Sequence, residues 1–376
     1  MNKQSESGAV SLFVVIFAAM LLLIATVSFT RIMLADQRQA TLNDVSQSAY
    51  DAAQAGVEDA KRVILVAQDC ESGRIADASR CQQIANVINA KRCNTVQAAL
   101  YGNTKLQEQM VRKNASDSAA DAMDQAYTCV TINKAPMDYL GSLNKDQTAV
   151  VPISSSSPIT SVEVRWYNAA DRTNDADMTL GYPSYGSPAN ITLPRVWQAS
   201  NPIYTNVPPM MRFQVASSDA ALSGNQDQMR NAPGAAFLFP TTSNFSETTL
   251  SSRVTPSAPV LTKCSIQLAP GGYACSMKVN LPAPTSSTYV ALTPLYGRTN
   301  FQLYAYNAAG QQISFGSAQI EVDSTGRANN LFRRILTRVE IGGDVSYPNA
   351  ALSVDNNVCK DFIVTKNPST FTQNCP

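Results

Sequence analysis

The sequence of 376 residues contains no histidine and little charge, and both absences restrict what the chain can do. Without histidine, the serine and cysteine triads of the usual form and the commonest metal ligand are excluded. Charged residues make up 15% of the chain and the formal net charge is +1. This balance gives no electrostatic reason to expect a nucleic acid as partner. We therefore expect no enzyme activity and no cofactor.

Proline is missing from a long part of the chain, since the first one is Pro136. Nothing before it forbids a long helix. Residues 9–29 carry no charge, and their number is sufficient to cross the hydrocarbon core of a bilayer as a helix. A polar leader, MNKQSESG, precedes them and carries Lys3.

After Arg31 the apolar residues narrow to one stripe, which predicts a helix with a single buried face. The stripe consists of Leu34, Leu42, Val45, Ala49, Ala52, Gly56, Ala60, Val63 and Ala67. We predict one continuous helix, about 90 Å long at 1.5 Å per residue. Its transmembrane half is residues 9–30 and its amphipathic half is residues 31–68, so the two halves need different partners.

The polar leader, its terminal glycine and the apolar run that continues into an amphipathic helix resemble a type IV prepilin. The resemblance covers roughly the first 65 residues, and it is closest to the PilX-type minor pilins and to the tip pseudopilins of type II secretion. It implies cleavage between Gly8 and Ala9 by the prepilin peptidase. Major pilins have glutamate as the fifth residue after the cut, whereas this chain has Phe13.

The resemblance implies a minor subunit of a type IV pilus, at the tip or initiating assembly, with a head that serves adhesion. Expected partners are other pilin subunits, the inner-membrane assembly platform and a host or neighbouring cell surface. The expected location is the cell membrane, crossed once before assembly, and then an extracellular pilus. One alternative is a pseudopilin of a type II secretion or DNA-uptake machine. A second is a membrane-anchored extracellular protein that binds or cleaves glycans.

Beyond the helix, the composition predicts an α+β protein with an antiparallel, β-rich head. Residues 69–130 lack proline and are rich in Ala and Gln, so we predict a small helical segment held by disulfides. Residues 131–258 read as a β-rich region with long loops. Residues 259–376 read as an antiparallel β domain with six candidate strands. The predicted leader is residues 1–8.

Eight cysteines behind a membrane segment predict four disulfides. Cys264 and Cys275 flank a Pro-Gly-Gly turn and are expected to pair across a hairpin. Cys359 and Cys375 resemble the pair that closes the C-terminal loop of type IV pilins. The other four leave three connectivities open, and they are Cys70, Cys81, Cys93 and Cys129.

The segment DRTNDADMTLGY carries oxygen ligands at alternate positions, which is the spacing of a calcium loop. These residues are Asp171, Thr173, Asp175 and Asp177. Ala176 occupies the place of the EF-hand glycine, and Tyr182 that of the twelfth-position glutamate. A polar surface loop is therefore the main interpretation and a calcium site the alternative.

Overall fold

The computed structural model describes residues 7–89, 93, 96, 99, 109–110, 124–174, 177–187, 190–217, 235–242, 245–250, 259–314, 316 and 318–340. These residues form two α-helices, the long α1 (Ser7–Glu71) and the shorter α2 (Ala78–Asn89). The strands are, in chain order, β1 (Gln109–Met110), β2 (Ala126–Asn133), β3 (Tyr139–Leu143), β4 (Ala149–Asn168), β5 (Gly186–Ser187), β6 (Asn190–Ile191), β7 (Met210–Ser217), β8 (Ala235–Thr241), β9 (Glu247–Thr249), β10 (Val260–Lys263), β11 (Tyr273–Leu295), β12 (Thr299–Tyr306), β13 (Gln312–Ile313), β14 (Gln319–Ala328) and β15 (Leu331–Glu340).

The chain divides into two compact units. The first unit contains α1, α2, β1, β2, β14 and β15, and the second contains β3 to β13. The architecture is therefore α+β, with a long apolar N-terminal helix and a β-rich remainder, as the composition predicted.

In the first unit, α1 is one uninterrupted helix of 65 residues, about 98 Å long. It begins at Ser7, two residues before the predicted start, and it includes Gly8. Its second half packs against an antiparallel sheet with the strand order β1-β2-β14-β15. The buried helix face is the predicted small-residue stripe from Ala49 to Ala67. Leu34 and Leu42, at the start of that stripe, are exposed.

A turn at Gly73 separates α1 from α2. Gly73 has φ = 73°, which glycine adopts without the strain that a β-carbon causes. A disulfide between Cys70 and Cys81 joins the two helices, and a second joins Cys93 to Cys129 in β2. Both lie within the first unit, so the structure selects one of the three possible connectivities.

The prediction that residues 69–130 are helical is wrong at two places, because β1 is a short strand at Gln109–Met110 and β2 begins at Ala126. The hydrophobic residues of β2 alternate with polar ones, but Ala126 and Tyr127 follow an alanine-rich run without proline. That run concealed the start of the strand. Most of residues 90–123 lie outside the described residues, and for them the prediction of helix stays a prediction.

The second unit contains a nine-stranded sheet with the order β10-β8-β7-β11-β4-β12-β13; β3 also pairs with β12 and β9 with β11. Its centre is an antiparallel ribbon of the two longest strands, β4 and β11. The register shifts between Asn280 and Ser287, where Pro282 and Pro284 interrupt the ladder. One face of the sheet forms the core, and Trp166 is completely buried there while donating from Nε1 to the Pro209 carbonyl at 2.9 Å.

The predicted boundary between residues 258 and 259 does not divide two sheets. Strands from both sides of that boundary pair with each other, since β11 joins β4 and β7. The purely antiparallel prediction also needs correction, because β10 pairs with β8 and β9 pairs with β11 in parallel. Strands β14 and β15 form a hairpin that belongs to the first unit, and its turn is at Asn329 and Asn330.

Candidate functional site

The N-terminal half of α1 has no cover in the described chain. Every residue from Leu12 to Asp44 is exposed, and Phe13 is 74% exposed. Thirteen large apolar side chains lie exposed between Leu12 and Phe29. Burying them would stabilise the protein by about 20 kcal/mol or more at the usual value per side chain. The helix is long and apolar enough to cross a membrane, so this half requires a lipid or protein environment.

The second half of α1 is fixed to its sheet by close contact between small residues. A β-carbon on Gly326 in β14 would overlap the carbonyl oxygen of Ala49 and the amide nitrogen of Ala53. Ser324, on the same strand face, donates to the Ala53 carbonyl at 2.6 Å. Gly56 is the matching position on the helix, where a β-carbon would meet Ser324. The helix backbone therefore lies directly on the strand backbone.

A buried polar pair fixes the register of this contact. Asp59, in the C-terminal half of α1, is only 8% exposed, and Tyr127 of β2 is 2% exposed. The Tyr127 hydroxyl donates to Oδ2 of Asp59 at 2.5 Å. Because a buried polar group is costly without its partner, sliding the helix along the sheet would break this pair at a cost of about 1–3 kcal/mol.

The predicted cleavage site, Gly8 and Ala9, and Phe13, where the resemblance expects a glutamate, lie in the N-terminal half of α1. Gly8 and Ala9 fall within the first turns of α1, and Phe13 follows one turn later. Cys359 and Cys375 lie outside the described residues, so their pairing stays a prediction. Cys264 and Cys275 form a disulfide, and the two residues also form an isolated antiparallel bridge.

The segment considered as a calcium loop is organised by an amide side chain. Asn206 is completely buried, and its Oδ1 accepts hydrogen bonds from the Thr173 amide (2.9 Å), the Thr173 hydroxyl (3.1 Å) and the Asn174 amide (3.1 Å). Its Nδ2 donates to the carbonyls of Asn174 (3.2 Å) and Asp177 (2.8 Å). The amide thus takes the central place that a cation takes in a calcium loop.

The two described aspartates of this segment use their oxygens inside the chain. Both oxygens of Asp171 accept from the Asn300 amide, and Oδ2 also accepts from the Asn168 amide. Burial raises the pKa of Asp171 despite these hydrogen bonds, which lower it. Oδ1 of Asp177 accepts from the Thr179 amide at 2.8 Å. Asp175 lies outside the described residues. Within those residues, no group of three Asp, Glu or Cys side chains is placed to hold a metal.

Replacing Asn206 with alanine tests this organisation. Asn206→Ala should lower the free energy of unfolding by about 2 kcal/mol, because several partly buried amides and carbonyls of the loop lose their common partner. Urea unfolding with and without calcium chloride measures the effect. Asn201→Ala, at an exposed position of the neighbouring turn, should change stability by less than about 0.5 kcal/mol. Stabilisation of the wild type by calcium, together with a small effect of Asn206→Ala, would instead support the calcium alternative.

The aromatic residues of the long loops anchor those loops. Trp197 stacks on Tyr296 with ring centroids 4.4 Å apart, and its Nε1 donates to the Pro208 carbonyl at 3.0 Å. The rings of Tyr185 and Trp197 both form T-shaped contacts with the ring of buried Phe239. The Tyr182 hydroxyl donates to the Ser265 carbonyl. Each of these aromatic side chains therefore has a partner inside the fold that holds its loop in place.

A second surface was not identified from the sequence. On the sheet face opposite the core, three neighbouring strands carry only polar or aromatic side chains over three rows, which we call the polar–aromatic face. From β11, β4 and β12 the rows are Ser276, Arg165 and Gln302; Lys278, Glu163 and Tyr304; and Asn280, Ser161 and Tyr306. All but Ser161 are partly exposed. The alternation of these residues with fully buried ones was the available signal, but pairing across strands cannot be derived from it.

Glu163 is the centre of this face. Its Oε1 accepts from Nε of Arg165 at 2.6 Å and from the Ser276 hydroxyl at 2.8 Å, and its Oε2 accepts from the Tyr306 hydroxyl at 2.6 Å. Burial alone would raise the pKa of Glu163, but these three hydrogen bonds together hold it below its usual value. The carboxylate is therefore charged at neutral pH, and its stabilising contribution is lost only as the pH falls through this lowered pKa.

Comparison with known proteins does not identify this chain: no protein-family model, no curated protein and no solved structure matches it.

Proposed function

We propose that this protein is a membrane-anchored minor subunit of a type IV pilus or a closely related filament. The main observation behind the proposal is that the two halves of α1 differ in their exposure and packing. The first half is apolar on all sides and exposed, whereas the second half is amphipathic and buried against the sheet of the first unit. A helix of this kind suits a subunit that is stored in a membrane and later packs with similar helices.

The N-terminal pattern supports the same proposal. A polar leader that ends at Gly8, followed by an uncharged run, resembles the substrate of the prepilin peptidase. The backbone contact at Gly56 and Gly326 also favours it, because a firmly fixed head transmits load to the helix. In this proposal the partners are other pilin subunits, the peptidase and the assembly platform, and the head faces outward and attaches to a cell surface.

A pseudopilin of a secretion or DNA-uptake machine would use the same helix. The two functions differ in the filament that forms, so surface fibres that contain this protein favour the pilus and a short periplasmic assembly favours the pseudopilin. A membrane-anchored protein that binds glycans is the other candidate, and the polar–aromatic face is the observation that favours it.

Mass measurement of the protein purified from its own cells tests the proposal. We expect the mature chain to begin at Ala9 with a methylated amine. Gly8→Arg should leave the leader attached, because the resemblance assigns the cut to that glycine, while Ser7→Ala should be cut normally. Full-length wild-type protein, or a cut at another bond, would contradict the pilin proposal and leave a signal anchor.

A further inference from the structure

We propose that the polar–aromatic face binds an uncharged polysaccharide. This inference deepens the proposed function, because a head that attaches to a surface needs a ligand there. The face lies on three adjacent central or near-central strands, β11, β4 and β12, so its shape is set by the sheet and does not depend on loops. Backbone hydrogen bonds in both ladders keep its rows in register.

The face carries charges of both signs, with Arg165 and Lys278 positive and Glu163 negative. Arg165 forms an ion pair with Glu163, and its guanidinium lies 4.6 Å from the ring centre of Tyr304. The Lys278 ammonium lies 5.4 Å from the ring centre of Tyr306. A strongly anionic or cationic ligand would meet charges of both signs here. A ligand without charge avoids that repulsion and can still form many hydrogen bonds.

The groups at the face suit a ligand rich in hydroxyls. A hydroxyl both donates and accepts, and the face offers both kinds of partner in carboxamide, carboxylate, guanidinium and phenol groups. Asn280 and Gln302 occupy opposite corners of the grid. Nδ2 of Asn280 donates to Glu247 at 2.8 Å and Nε2 of Gln302 donates to Asp138 at 2.7 Å, which orients both carboxamides. Neighbouring strands are about 4.8 Å apart, a spacing comparable to one pyranose ring. A chain of sugars lying across the strands would therefore meet a new set of polar groups at each residue.

The side chains of the face are held in place before any ligand binds. Glu163 accepts three hydrogen bonds from groups on three strands. Arg165 and Lys278 each lie over a tyrosine ring. Ordered side chains lose less conformational entropy on binding, which favours binding by a shallow surface. The tyrosines add rigid area that is apolar on the ring and polar at the hydroxyl.

Retention of the full-length protein, in detergent, on insoluble cellulose and chitin and on immobilised mannan tests the proposal. We expect retention on at least one of these, unchanged between low salt and high salt, because an uncharged ligand forms no ion pair that salt could screen. Tyr304→Ala should weaken retention about tenfold. If Tyr304→Ala fails to fold, Gln302→Ala is the second test variant, because it removes a smaller side chain from the same face and should also weaken retention. Tyr289→Ala is the matched control, since Tyr289 is an exposed tyrosine of β11 outside the grid.

Three results would overturn the proposal: retention on none of the three materials, equal retention of the wild type and of folded Tyr304→Ala and Gln302→Ala, or retention that high salt abolishes. The last result would indicate an ionic ligand instead. Failure here is separable from failure of the pilin proposal, because the N-terminal cut is measured independently. A chain that is cut at Gly8 but is not retained keeps the filament function and loses only this ligand.

Discussion

Gly326→Val should remove most of the contact between α1 and its sheet. A β-carbon at Gly326 overlaps backbone atoms of Ala49 and Ala53, and backbone cannot rotate away as a flexible side chain can. The helix must therefore rise from the strand, which also breaks the hydrogen bond from Ser324 to Ala53. We expect a loss of about 3 kcal/mol or more, at the upper end for overpacking. Urea unfolding of the protein in detergent measures it.

The control is Thr325→Val, one residue earlier on the same strand. Thr325 lies on the opposite face of β14 and is partly exposed, so the same added bulk should change stability by less than about 1 kcal/mol. Gly56→Leu should resemble Gly326→Val, since it changes the other side of the same contact. Equal unfolding midpoints for Gly326→Val and Thr325→Val would mean that the helix does not lie against this strand.

The buried half of α1 shows what periodicity can predict. The stripe from Ala49 to Ala67 was visible because small and apolar residues recur every three or four positions, and this stripe is the buried face. Its partner was not visible. Gly326 and Ser324 lie more than 250 residues later in a strand that reads as polar, and nothing local indicates that a helix lies on it.

The second unit shows where local patterns fail. β11 contains Pro282 and Pro284, residues that rarely occur inside a strand, but the proline region is accommodated at a register shift in one long ribbon. Asn206 gave no signal either, because an asparagine in a proline-rich loop looks like a turn residue. The polar–aromatic face depends on the pairing of three strands, and pairing is a property of tertiary structure.

The position of the subunit in a filament depends on Phe13 and is the remaining prediction. In major pilins the glutamate at this position is thought to neutralise the terminal amine of an adjacent subunit inside the apolar core. An unpaired buried charge costs several kcal/mol, and Phe13 cannot accept the amine's hydrogen bonds. A subunit with no neighbour above it avoids that cost. On the pilin proposal we therefore expect this protein at or near the tip, and immunogold label at filament ends.

Phe13→Glu should then spread the label along the shaft, because the new carboxylate can pair with a neighbour's amine. The matched control is Phe17→Glu, one helical turn further on a comparably exposed position of the same helix face. Phe17→Glu adds the same charge to the apolar run at a position where no terminal amine of a neighbouring subunit is expected. It should therefore reduce incorporation of the protein into filaments. If the Phe17→Glu label also spreads along the shaft, a carboxylate at either position is sufficient for incorporation. If the wild-type label is spread evenly along the filaments, the tip assignment is wrong, because the cost of an uncompensated amine then does not determine the position of the subunit.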